Sequence, residues 1–249
     1  MTRQARTILL ADTVMGRLIQ AAGPYRLTPR LEREPFESLA RAIAHQQLNG
    51  TAAERILGRF AALAGGASAS AVSFPPPAQV LAASPERLRA VGFSFAKIAA
   101  LKDLAAKTLA GVVPAGATLH TLADEDIIER LTAVRGIGRW TVEMMLIFQL
   151  GRPDVLPVDD FGVRNGFRLA YGLAGMPRPR ALAEFGERWR PHRTMAAWYL
   201  WRAVELSRNE RLPPRRGRPP RVAIQVLARK TRLARLKLAA KERALRARK

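Results

Sequence analysis

Residues 131–160 read LTAVRGIGRWTVEMMLIFQLGRPDVLPVDD, and this stretch decides how the rest of the chain is read. An apolar segment from Leu131 leads into Gly136-Ile137-Gly138. A second apolar segment opens with Arg139-Trp140-Thr141, and Asp160 lies 20 residues beyond Trp140. Two glycines one residue apart at the opening of a helix make a tight hairpin in backbone conformations closed to other residues. Amides that open a helix point outward and bind phosphate. A Gly-x-Gly tripeptide alone is also an ordinary turn. Its setting, between apolar helical segments of a basic chain, favours the phosphate reading. The expected backbone contacts are Arg135, Gly136, Ile137, Gly138, Arg139 and Thr141. A hairpin of this type can also be closed by Na+ or K+ on main-chain carbonyls, here those of Thr132, Val134 and Ile137.

The Asp159-Asp160 pair before Phe161 has two readings. Asp is a strong N-cap residue, so the pair can simply start a helix. An acid close to a phosphate-binding hairpin is repelled by the same polyanion, which argues for a chemical reason to keep it. A carboxylate can stabilise an oxocarbenium ion built at a deoxyribose, or orient an attacking water.

Composition narrows the partner. The 249 residues suffice for a sizeable core, and 48% apolar with 25% charged residues is a globular composition. The formal net charge is +22, which favours nucleic acid. Residues 211–249 hold fifteen Lys/Arg against the single acid Glu242, a net +14, leaving +8 for residues 1–210. The absence of cysteine excludes disulfides, zinc-thiolate sites and iron–sulfur clusters. His45, His120 and His192 lack metal-site spacing. The apolar run Ile8–Met15 is interrupted by Asp12 and too short for a signal peptide, and no run reaches membrane-spanning length. The expectation is a monomeric cytoplasmic, nucleoid-associated protein with no membrane partner.

Helical periodicity dominates and strand alternation is scarce, so the expected fold class is all-α. Helices are expected at 4–21, from Pro35 to His45, at 51–63, from Pro85 to Gly92, at 94–109, from Asp124 into the hairpin, and at 141–150. Others are expected at 160–171, 179–185 and 194–209, with a loop or crossover at 64–77. From Leu212 a Pro/Arg-rich stretch begins. The division expected is a core of 1–211, with the hairpin at about 131–145, and a basic tail of 212–249 that is either a surface helix or disordered.

The ordered series GIG-x-WT-x-EM from Gly136, PVDDFGVR from Pro157 and ERWRPHRT-x-AAWYLW from Glu187 resembles the helix-hairpin-helix DNA glycosylases, specifically the 3-methyladenine DNA glycosylase II branch. FESLARAIAHQQLNGTAA from Phe36 and VGFSFAKIAALKDLA from Val91 extend the similarity over roughly residues 8–209. The resemblance implies two α-helical lobes with a cleft between them, and excision of a flipped base from double-stranded DNA containing a damaged base. It places the catalytic Asp at Asp160 and base-pocket aromatics at Trp140 and Trp201. Met144 lies one turn beyond Trp140, and the residue that fills the gap left by the flipped nucleotide is Gln47 or Leu48. Trp198 and Trp189 are expected in the core. Strand-cutting members carry Lys where Trp140 stands, so monofunctional hydrolysis without a cofactor is implied. The favoured substrates are alkylated purines of the 3-methyladenine and 7-methylguanine type. The alternatives are deaminated or oxidised bases, or non-catalytic DNA-structure binding. With Phe36 already opening a core motif, a compact form without a large N-terminal β domain is expected. One departure stands out: Arg135 occupies a position that is usually Pro in the family.

In the tail, Arg216-Gly217-Arg218-Pro219 resembles an AT-hook core. Extended Arg-Gly-Arg fits the narrow, strongly negative minor groove of A·T-rich DNA. Arg216 and Arg218 are therefore candidate DNA contacts, with a solvated basic linker as the alternative.

Overall fold

Helices carry almost all of the regular structure, as the periodicity predicts. The structure is a computed structural model that describes residues 2–30, 33–64, 74–214, 219–222 and 224–225. Thirteen α-helices lie among the described residues. They fall into two units: Leu27–Arg152, and a unit built from Met1–Arg26 together with Pro153–Lys249.

The unit from both chain ends contains α1 (Arg3–Ala11), α2 (Thr13–Ala22), α11 (Phe161–Tyr171), α12 (Pro179–Gly186), a 3-10 turn (Glu187–Trp189) and α13 (Arg193–Arg208). The single helix expected over 4–21 is in fact α1 and α2, broken at Asp12. There the backbone is extended, and the Asp12 carboxylate accepts hydrogen bonds from the Val14 and Met15 amides, capping α2. Asp12 also accepts from the Tyr171 hydroxyl at 2.5 Å. Burial first, then the Asp12 carboxylate, pushes the Tyr171 phenol well above its usual pKa. The helix break is thus a tertiary fastening.

In this unit's core, Phe167 stacks on Tyr171, Phe185 meets both edge-on, and Trp189 meets Phe167 and Phe185 edge-on. Trp189 is fully buried, as expected, whereas Trp198 is only partly buried and packs on Tyr25 and Tyr199. Helices α11 and α13 cross closely because Gly166 has no side chain. A Cβ there would lie 1.9 Å from the Leu200 carbonyl oxygen. A small sheet, not foreseen, joins Met176–Pro177 (β1) antiparallel to Ile224–Gln225 (β2), with Met176 opposite Gln225. Leu212 and Val222 also pack partly buried against this core. The described part of 212–249 is therefore attached to this unit, while Arg216 and Arg218 lie outside the described residues.

The second unit comprises α3 (Pro35–His45), α4 (Gly50–Ala62), α5 (Pro77–Ala82), α6 (Pro85–Val91), α7 (Phe95–Leu109), α8 (Gly116–Thr121), α9 (Asp124–Thr132) and α10 (Arg139–Phe148). Short helices α5 and α8 were not expected; at six residues each they carry too little periodicity to read. Proline opens α3, α5 and α6, where its missing N–H costs nothing. Ser84, Ser94 and Asn49 cap α6, α7 and α4 through their side chains. The core gathers Leu39, Ile43, Phe60, Leu88, Phe93, Leu101 and Leu104, all nearly inaccessible. Helix α7 packs against α3, α5 and α6, which makes it the spine of the unit.

The Gly166 contact is testable. Gly166→Ala forces two helices apart and should destabilise the protein by on the order of 3 kcal/mol. Thermal unfolding should fall by roughly 10 °C; an unchanged midpoint would contradict the crossing described.

Candidate active site and nucleic-acid interface

The hairpin follows directly from its sequence. Helix α9 ends at Thr132, and Ile137 N–H donates to the Val134 carbonyl at 3.1 Å to close the turn. Val134 and Ile137 point inward and are buried, so the turn is anchored by apolar side chains while its backbone faces out. The two glycines serve different ends. Gly136 has φ +78°, a left-handed conformation that favours glycine. Gly138 has φ −99° and caps α10, and a Cβ there would meet nothing within 4 Å. Its lack of a side chain instead leaves the start of α10 open to close approach by a ligand.

Side chains foreseen in this unit occupy three places. Arg135 is exposed beside the hairpin. Arg139 forms a bidentate pair with Glu125 and a further bond to Glu143, a buried carboxylate, so its guanidinium is held against α10. Those carboxylates raise its pKa above the usual arginine value, the Glu125 hydrogen bond contributing most. Trp140 is 49% exposed, and Met144, one turn on, is half-buried. Phe148, a further turn along the same face and 43% exposed, extends this apolar stripe and was not singled out from sequence. Its spacing of four from Met144 is the signal that would have found it.

Residues 46–49 form the tight turn between α3 and α4. Gln47 has φ +57°, rare for a residue with a side chain, and Leu48 is exposed at 40%. A strained turn presenting an apolar tip to solvent suits insertion into a base stack. The neighbouring Gln46, not foreseen, donates from Nε2 to the Gly136 carbonyl at 2.9 Å, tying this turn to the hairpin.

In the other unit, the loop from Pro153 to Asp160 carries the carboxylate. Its start is fastened to α13. Arg193 binds the Asp154 carboxylate through Nε, and the buried Thr194 hydroxyl accepts from the Val155 amide at 2.9 Å. Its end is fastened to α13 two turns later, where Trp201 Nε1 donates to Asp160 Oδ1 at 2.8 Å. The same oxygen accepts from the Val163 amide at 2.7 Å and caps α11. The helix-cap reading of Asp160 thus holds, and the two bonds fix the orientation of its carboxylate. Gly162 makes room for this arrangement, since a Cβ there would lie 2.8 Å from Trp201 Cδ1 and 3.1 Å from Asp160 Oδ1. Asp159 is exposed, and Asp160 is partly buried. The structure therefore brings Asp160 and Trp201 together through the indole N–H, a polar role for Trp201 that the reading as a pocket aromatic did not include. No cluster of His, Cys, Asp and Glu suited to a metal ion occurs among the described residues.

A family profile described as "HhH-GPD superfamily base excision DNA repair protein" matches residues 40–191. The chain is 42% identical to DNA-3-methyladenine glycosylase 1 of Schizosaccharomyces pombe over 197 residues, covering 79% of this chain and 84% of that protein. The solved S. pombe 3-methyladenine DNA glycosylase in complex with abasic DNA is similar with TM-score 0.71 at 41% identity, covering 82% of this chain and 98% of that one. A DNA-3-methyladenine glycosidase from Bacillus halodurans is similar with TM-score 0.73 at 35% identity, covering 84% and 92% of the two chains.

The two hairpin glycines separate in a stability experiment. Gly136→Ala should cost about 1–2 kcal/mol, the penalty of a left-handed conformation for a residue with Cβ. Gly138→Ala should stay within about 0.5 kcal/mol of the parent, as an open surface position does. Urea unfolding of the two variants measures both; equal losses would contradict the assignment.

Proposed function

The chain belongs to the HhH-GPD superfamily of base excision DNA repair proteins, in its 3-methyladenine glycosylase branch, and on that premise we propose how it works. It hydrolyses the N-glycosidic bond of alkylated purines of the 3-methyladenine and 7-methylguanine type in double-stranded DNA, leaving an abasic site. The observation that carries this reading is the Asp160 carboxylate, oriented by two hydrogen bonds on one oxygen.

The chemistry follows from charge. Breaking the bond from deoxyribose to base builds positive charge on the sugar, and a fixed carboxylate beside it lowers the barrier without reorganising. A purine alkylated at N3 or N7 is already cationic and leaves readily, so one carboxylate suffices without a strong general acid. Flipping costs less wherever a lesion weakens its pairing or stacking. We assign Trp140, Met144 and Trp201 to the flipped base, where an electron-rich indole favours a cationic ring. Gln47 or Leu48 fills the gap left in the duplex. The amides of Gly136 and Gly138, with the exposed Arg135, hold the phosphates, while the Ile137 and Thr141 amides are spent on the Val134 and Gly138 carbonyls and Arg139 on Glu125 and Glu143; hairpin carbonyls of Thr132, Val134 and Ile137 suit a monovalent cation. Such contacts position the duplex without reading sequence. Trp140 stands where strand-cutting members of the family carry Lys, so no amine is placed there to form a Schiff base, and the strand stays intact.

The net charge of +22 supports association with chromosomal DNA, to which the basic stretch with Arg216 and Arg218 adds affinity. No helix among the described residues is long and apolar enough to cross a membrane. We propose that the protein acts as a monomer.

Asp160→Asn tests the reading. Asn keeps a side-chain oxygen for the Val163 amide and the Trp201 indole and is an equally good helix cap, so the fold should hold. Single-turnover release of 3-methyladenine from methylated duplex should drop roughly 100-fold or more, with duplex affinity retained. The wild-type product should be an uncut strand bearing an abasic site. Release at the wild-type rate by Asp160→Asn would overturn the proposal.

A further inference from the structure

Helix α7 fastens the hairpin through a group the catalytic reading does not use. Asp103 Oδ2 accepts a hydrogen bond from the Arg135 main-chain amide at 2.7 Å. Lys107, one turn further along α7, holds both Asp103 oxygens, at 2.9 and 2.7 Å, and reaches past them to donate to the Ala133 carbonyl at 2.7 Å. One side-chain pair thus satisfies a donor and an acceptor on either side of Val134, at the point where α9 ends and the hairpin begins. Ala100, on the same helix, lies beneath Gly136, with its Cβ 3.5 Å from where a Gly136 Cβ would be.

The contact explains why a residue with an N–H stands at position 135. Proline there would remove the donor and leave the Asp103 carboxylate without it. It also presents a puzzle of sign. Asp103 is partly exposed, with 30% of its side chain accessible, and it sits directly against a hairpin that grips phosphates. On electrostatics alone, a carboxylate there weakens binding to a polyanion. Burial raises its pKa, but the Arg135 amide and Lys107 outweigh that and hold the carboxyl below the usual range, so it stays charged at neutral pH.

We propose that Asp103 is a positioning residue for DNA binding: it fixes the hairpin amides in their phosphate-gripping conformation, with Lys107 cancelling its charge. The proposal rests on the DNA-binding reading of the hairpin given above. Ordering the amides before DNA arrives removes that ordering cost from binding.

The two effects have opposite signs, and the sign is the test. Asp103→Ala removes the latch and a negative charge together. A positioning role predicts weaker binding to a duplex carrying an abasic-site analogue, by roughly tenfold, the scale of one charge-assisted hydrogen bond. The single-turnover release rate on saturated 3-methyladenine duplex should be unchanged. Asp103→Asn retains an oxygen for the Arg135 amide and should recover most of the affinity. Hydrogen exchange at the Arg135 amide should be slow in wild type and in Asp103→Asn, and fast in Asp103→Ala. Tighter or equal binding by Asp103→Ala would overturn the proposal, as would fast exchange in wild type. Failure of the wild type itself to bind duplex or release base would instead overturn the underlying functional reading. Should Asp103→Ala fail to fold, the Asp103→Asn affinity and the wild-type exchange rate still decide the matter.

Discussion

The hydrogen bond from the Trp201 indole to Asp160 fixes the orientation on which the proposed chemistry depends. A carboxylate at the end of an unfastened loop has many orientations, and averaging over them would weaken its effect on a developing cation. Here the loop has no such freedom. Arg193 and Thr194 hold its beginning to the start of α13, and Trp201 holds its end two turns later. The spacing of the loop is matched to a rigid helical ruler. Helix α13 is itself pressed onto α11 through the Gly166 crossing, and Gly162 leaves the space through which the indole reaches the carboxylate. Each glycine in DDFGVRNG therefore serves a close approach.

The other unit applies the same logic to a binding surface. The hairpin closes on itself through a single bond, from the Ile137 amide to the Val134 carbonyl, so the rest of its shape must be held from behind. Val134 and Ile137 supply the apolar anchor. Polar fastening comes from Gln46 on the Gly136 carbonyl and from the Asp103–Lys107 pair on Arg135 and Ala133. Lys97, also on α7, donates to the Ala44 carbonyl at the end of α3, just before the strained turn at Gln47. One helix thus steadies both surface turns of its unit.

Much of this was legible in the sequence, and the exceptions have physical causes. Long helices with side-chain caps, such as α7 behind Ser94, announce themselves by periodicity and capping. The hairpin was readable because the left-handed backbone at 136 favours glycine. The cap role of Asp160 was readable from its place before Phe161, whereas the orienting bond from Trp201, 41 residues away, was not. The split at Asp12 was missed because the decisive bond runs from Asp12 to Tyr171, far along the chain. The β1–β2 pair was missed because two-residue strands have no pattern. Asp103, Lys107 and Gln46 were missed for a common reason: each binds a main-chain group, and main-chain groups carry no sequence signature. The identity of residue 135 was the single visible clue.

If α13 sets the carboxylate's orientation, the indole N–H of Trp201, and not only its ring, matters to the reaction. Trp201→Phe keeps an aromatic face and removes that donor. Measured as single-turnover release of 3-methyladenine from saturated duplex, the rate should fall roughly tenfold, the scale of one hydrogen bond to a charged group, with affinity for undamaged duplex unchanged. A rate equal to wild type would contradict the claim that α13 sets the carboxylate's orientation.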